Sequence, residues 1–123
     1  MSAVLELLNE GKNIITEVGV FPQIAKHIKD GRVFISKDIE VKCKTKHRIN
    51  NLKSFVTKTL NNLHFVAPYS GNSNVLNFYG QVVNQEGRIK YQKVAISKRD
   101  GRVLSSYCVP KTHYLAASAT RIV

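Results

Sequence analysis

Hydrophobic positions recur at helical spacing early in this chain and in strand-like runs later. Val4, Leu5, Leu8, Ile15 and Val18 lie near a 3.6-residue period; Ser2 can cap that segment, and Gly11 is its weak point. Pro22 suits the first turn of a second short helix over 23–29, which Asp30-Gly31 ends. Val33 with Ile35, and Ile39 with Val41, alternate instead, so Arg32–Ser36 and 39–43 predict a small extended ribbon. The clearest amphipathic signal covers 47–63. Ile49, Leu52, Phe55, Val56, Leu60 and Leu63 form one stripe, while Lys46, Asn50, Lys53, Thr57 and Asn61 face away.

After a polar loop over 68–74 the pattern changes. Val75–Val83, Ile89–Ser97 and Val103–Val109 are apolar-rich runs separated by Glu86-Gly87 and Asp100-Gly101. Asp-Gly between such runs is a hairpin signal, and short connections join antiparallel neighbours only, so the three predict a meander. Pro110 stops the last strand, leaving 111–123 as a final edge strand or a tail. The expected fold is α+β: N-terminal helices packed on one face of a C-terminal antiparallel sheet, the other face open to a ligand. Alternation puts Lys90 and Lys93 on opposite faces of their strand.

A chain of 123 residues with 43% hydrophobic content suits one folded domain over 1–123. Its parts read as a helical segment over 1–31, a basic α+β core over 32–110, and the tail or edge strand. Apolar stretches are too short for a spanning helix or a signal-peptide core, so no membrane partner is expected. Cys43 and Cys108 lack metal or redox spacing and fit two buried free thiols in a reducing cytoplasm.

Charge sharpens the picture. Residues 1–40 hold five Lys/Arg against six Asp/Glu; residues 41–123 hold fourteen against two, Glu86 and Asp100. The net +11 therefore belongs to the second part, which favours a polyanion or an acidic protein. The run Lys42, Lys44, Lys46, His47, Arg48, continuing to Lys53, is one candidate nucleic-acid surface. Arg88, Lys90, Lys98, Arg99 and Arg102 on the meander form another, with Tyr79 and Tyr91 as stacking platforms for single strands.

The four histidines have no metal-ligand spacing and carboxylates are scarce, so neither a metal site nor a cofactor is expected. Metal-independent RNA cleavage needs a base for the 2′-hydroxyl proton, an acid for the leaving 5′-oxygen, and a cation for the crowded phosphorane. Imidazole can fill the first two roles near neutrality. His27 is the candidate for acid–base work from the second helix. His47 sits in the basic run, His64 between Leu63 and Phe65 reads as structural, and His113 falls in the tail. Lys93, Tyr91, Ser105, Ser106 and Tyr107 lie on neighbouring strands of one hairpin, close enough to build a phosphate pocket.

The stretch from Lys93 through the Asp100-Gly101 turn to Ser105-Ser106-Tyr107, behind two helices and an upstream His27, resembles a known group. It looks like the small metal-independent ribonuclease toxins of the barnase–EndoU–colicin–RelE type. The resemblance covers roughly residues 24–110. It implies RNA cleavage to a 2′,3′-cyclic phosphate, an acidic immunity or inhibitor protein as partner, and delivery from another cell or a virus. It also implies His27, Lys93, Ser105 and Tyr107 as catalytic residues, with Ser105 at a threonine place. Two other readings stay open: a non-catalytic nucleic-acid-binding protein of viral or phage origin, and a basic adaptor docking on an acidic protein.

Overall fold

The computed structural model describes residues 14–122. The chain opens with strand β1 (Ile14–Val20), then passes through two single 3₁₀ turns (Pro22–Ile24 and Lys29–Gly31) into β2 (Arg32–Ser36). β1 and β2 pair antiparallel as a two-stranded ribbon. Helices α1 (Lys37–His47) and α2 (Leu52–Asn61) follow. Strands β3 (Leu63–Pro68), β4 (Val75–Val83), β5 (Ile89–Ser97) and β6 (Val103–Val109) form a four-stranded antiparallel sheet in that order. Helix α3 (Lys111–Ser118) ends the fold.

This order corrects the helices-first expectation. The class is α+β, but strands come first, two helices sit in the middle, and a third helix follows the sheet. Residues 14–18 are strand, not helix. The run Ile14–Val20 carries four β-branched aliphatic side chains, which favour extended backbone over a sparse helical period. The remainder of the expected first helix lies outside the described residues. The second expected helix is reduced to 3₁₀ turns.

Residues 39–43, expected to extend the ribbon, belong to α1. Ser36 accepts a hydrogen bond from the Ile39 N–H, Asp38 and Glu40 sit in the first turn, and Lys44, Lys46 and His47 in the last. All complement the helix ends. Ile39 and Cys43 share a helical face, whereas Val41 is 54% exposed.

The long helix expected over 47–63 is broken. Arg48 turns left-handed (φ 55°) to end α1, and Asn51 caps α2 by accepting from the Ser54 N–H at 3.0 Å. Leu63 then opens β3, a fourth strand absent from the expected meander. The other three strands occupy their expected ranges. The presumed tail folds as α3, since Pro110 precedes a helix as readily as it ends a strand.

One sheet face carries the main core. Val66, Phe78, Val94, Ile96 and Val103 pack there against Cys43, Leu52, Val56, Leu60 and the ribbon residues Val33 and Ile35. The other face carries a smaller aromatic cluster of Phe65, Tyr79 and Val109, covered by Tyr114 of α3. No helix among the described residues is long and apolar enough to cross a membrane.

Helix α2 approaches β4 closely at Gly80. A Cβ there would lie 2.6 Å from the Thr59 carbonyl oxygen and 2.9 Å from that of Asn62. Gly80→Ala should therefore push α2 off the sheet and cost about 1–3 kcal/mol in urea denaturation. An unchanged midpoint would mean that the helix is not seated as described.

Candidate functional site

Register builds the site row by row on the face opposite the main core. Tyr79, Lys93 and Tyr107 are direct cross-strand partners on β4, β5 and β6. The next row is Ala67, Asn77, Ala95 and Ser105. These side chains are small, so the sheet surface dips beside Lys93. On the far side, Gln81, Tyr91 and Val109 form a third row, roofed by Tyr114. Tyr114 accepts from Gln81 Nε2 at 3.2 Å and pairs with His64 Nδ1 at 2.9 Å.

Two irregularities set this arrangement. In β6, Ile96 opposes Val103 and Ala95 opposes Ser105, so Leu104 is an extra residue. That bulge leaves Val103 in the core while turning Ser105 and Tyr107 to the opposite face. In β3 a matching shift between Leu63 and Phe65 sends Leu63 to the main core and Phe65 to the aromatic cluster.

The result is a hollow of about 260 Å³ lined by Asn77, Lys93, Ala95, Ser105 and Tyr107, with Lys42, Tyr69, Val75 and Leu104 around them. Lys93 is 7% exposed. Its ammonium donates to the Tyr107 hydroxyl at 2.6 Å and lies 4.6 Å from that ring's centre. It forms no ion pair; the two ion pairs among the described residues are Arg32–Glu17 and Arg88–Glu86. A buried cation without a counter-charge is costly, and the cheapest remedy is a bound anion. Asn77 Oδ1 is likewise buried with no hydrogen-bond partner.

Two imidazoles flank Lys93. His47, at the end of α1, stacks on Tyr107 at 4.9 Å between ring centres. His113, on α3, pairs through Nε2 with the Tyr79 hydroxyl at 3.1 Å. Tyr79 and Tyr107 are two strand spacings apart, about 10 Å. Desolvation, then the charges of Lys42 and Lys46, hold His47 below its usual 6.5. Burial, then the neighbouring Tyr107, pushes Tyr79 up to about 12, with the Asn77 amide opposing the shift. Tyr79 is thus a phenol at any physiological pH.

Of the predicted catalytic set, Lys93, Ser105 and Tyr107 come together and His27 does not. His27 packs edge-on to Phe78, 6.2 Å between ring centres, on the core side of the sheet. It sits in the turn between the two 3₁₀ segments. Burial, then Lys26 and Lys98, lowers its pKa, but the sheet separates it from Lys93.

Among the predicted nucleic-acid contacts, Lys42 and His47 reach the site. Lys44, Lys46 and Arg48 are exposed on the adjoining end of α1, and Lys53 on α2. Arg99 and Arg102 line a separate polar hollow with Asn72 and Asn74, and Lys98 is exposed beside it. Arg88 and Lys90 are exposed at the opposite end of β5, away from the hollow. The basic side chains therefore gather in part only. Tyr79 and Tyr91 are not stacking platforms: Tyr79 is 2% exposed and stacked on Phe65, and Tyr91 lies against Tyr114.

Asn77 was missed in the sequence, where a polar residue between apolar neighbours carries no mark of its role. His113 was visible but looked like tail, because α3 was not foreseen. Cys43 is buried as expected, whereas Cys108 is exposed. No group of three or more His, Cys, Asp or Glu among the described residues could hold a metal ion.

Fold and site together define an α+β protein with an electropositive hollow on the partly covered face of an antiparallel sheet. No known protein family, curated protein or solved structure matches the chain.

Two outcomes test this geometry. Lys93→Met should raise stability by about 1–3 kcal/mol by removing an uncompensated buried charge. Phosphate should raise the melting temperature of the unaltered protein and lose that effect in the variant; indifference of both proteins to phosphate would contradict an anion site. Tyr79 has a folded pKa above its unfolded value near 10, so its contribution to stability is complete below pH 10 and fades as pH rises toward 12. Tyrosinate absorbance near 295 nm should accordingly show a late-ionising group that disappears in Tyr79→Phe.

Proposed function

We propose that this protein is a metal-independent endoribonuclease that cleaves through the 2′-hydroxyl. What carries the reading is a buried lysine without a counter-ion, flanked by two tyrosine–histidine pairs across three adjacent strands. Lys93 meets a non-bridging oxygen of the scissile phosphate and stabilises the charge that grows on it. Lys42 adds charge at the rim, while Ser105 and the Tyr107 hydroxyl orient the group.

Acid and base must stand on either side of the phosphorus, since attacking and leaving oxygens are opposed. His47 and His113 flank Lys93 in that sense. His47, held below 6.5 and so neutral at pH 7, is the base that takes the 2′-hydroxyl proton. Asn77 Oδ1, otherwise unserved, accepts a hydrogen bond from the same hydroxyl and orients it. The 2′-oxygen bonds to phosphorus and the bond to the 5′-oxygen breaks. His113, steadied by Tyr79, protonates that oxygen. The products are a 2′,3′-cyclic phosphate and a 5′-hydroxyl end.

The non-catalytic alternative loses its main support, because the rings offered as stacking platforms are both engaged inside the protein. The exposed basic side chains on α1 remain suited to a polyanion in either case, with affinity falling steeply as salt rises. An acidic inhibitor covering the same charges is part of this proposal.

Incubation of the protein with RNA in EDTA should yield fragments ending in cyclic phosphate. His47→Gln and His113→Gln should each lower the rate by about 10²-fold or more, while His27→Gln stays within about twofold. The rate should fall with acid through a pKa below 6.5, where His47 becomes protonated. Intact RNA at high protein concentration, with the protein folded, would overturn the proposal.

A further inference from the structure

A second hollow, of about 320 Å³, lies beside the first, and His47 lines it. His47 thus stands between the two spaces: its ring stacks on Tyr107, which lines the phosphate hollow, and it also walls the neighbour. This second space sits between the α1–α2 connection and the end of β6. Its walls combine apolar surface from Ile49 and Phe55 with polar groups from Asn51, Lys58 and Gln92. The exposed Cys108 closes one side.

The polar groups are mostly donors. Asn51 uses Oδ1 to cap α2, which leaves its amide N–H₂ free to give hydrogen bonds. Lys58 forms no ion pair and can only donate. Arg48, also on the wall, can only donate too. No carboxylate lines the space. A flat, partly apolar ligand with hydrogen-bond acceptors on its edge matches these walls, and it would lie one residue's width from the phosphate hollow.

We propose that this hollow is a nucleobase pocket, which seats the base next to the scissile phosphate and favours bases with a carbonyl oxygen on the edge. The inference rests on the ribonuclease reading and adds its specificity. Guanine, uracil and cytosine offer such an oxygen; adenine offers only ring nitrogens beside an amino group. A donor-lined site therefore discriminates against adenine.

Two measurements on the full chain test it. The first is alkylation of Cys108 by iodoacetamide; Cys43, the other cysteine, is buried. Uridine or guanosine 3′-monophosphate should slow the reaction about tenfold, adenosine 3′-monophosphate much less, and inorganic phosphate not at all. The second is cleavage, in EDTA, of DNA oligonucleotides carrying one ribonucleotide, with the base on each side of the scissile bond varied in turn. Carbonyl-bearing bases at one of these positions should be preferred about tenfold over adenine, and Lys58→Ala and Cys108→Trp should each erase the preference. If cleavage proceeds but Cys108 is unprotected and every base is cut alike, the pocket is overturned and the ribonuclease reading stands. If no oligonucleotide is cleaved, the ribonuclease reading falls and the inference falls with it.

Discussion

Each residue in β3–β6 must face one of two environments: an apolar core under α1, α2 and the ribbon, or a polar hollow partly covered by α3. Strand geometry allows no compromise, because successive side chains point in opposite directions. A strand that runs regularly from core into hollow would put its polar residues on the wrong side. Two extra residues, one near His64 and one at Leu104, resolve this by reversing the alternation partway along. Val103 and Tyr107 can thereby serve opposite faces although both carry odd numbers. The closure of the core and the chemistry of the hollow depend on the same pair of irregularities.

Lys93 is where the two demands meet. Its stem crosses a row of aromatic side chains, and its charge ends beside a phenol instead of a carboxylate. A protein selected for stability alone would place an apolar side chain there. Keeping an ammonium in that position destabilises the empty molecule and favours the occupied one. Tyr79 and Tyr107 suit this setting because, as phenols, they offer hydrogen bonds without cancelling the charge. Carboxylates would neutralise it. Their scarcity after residue 40 therefore bears on the interior of the site as well as on the surface.

The sequence revealed the parts of the molecule whose patterns are local. The spans of β4, β5 and β6 could be read from runs and turns, and Lys93, Ser105 and Tyr107 followed from the closing hairpin. What escaped depends on distant context. Ile39 and Cys43 fit strand alternation and helical spacing equally, and the capping by Ser36 decided between them. The stripe over 47–63 continues across a break that only the Asn50-Asn51 pair hints at. His113 joins the site because Tyr114 finds a roofing position over Tyr91 and Phe65, a contact between residues far apart in the chain. His27 was favoured for its place on a supposed helix, yet the turn around it directs the ring to the core face. None of these outcomes could be inferred without knowing which face of the sheet lay where.

The bulge at Leu104 has a bearing on how this chain can vary over evolutionary time. The half-buried side chain at that position matters less than the residue's being counted at all. Exchanging Leu104 for another residue preserves the phase of β6, whereas losing a single codon there would invert every later position of the strand. Ser105 and Tyr107 would then turn inward, and Ser106 and Cys108 outward. Descendants of this gene should therefore tolerate spelling changes at that point far better than changes of length.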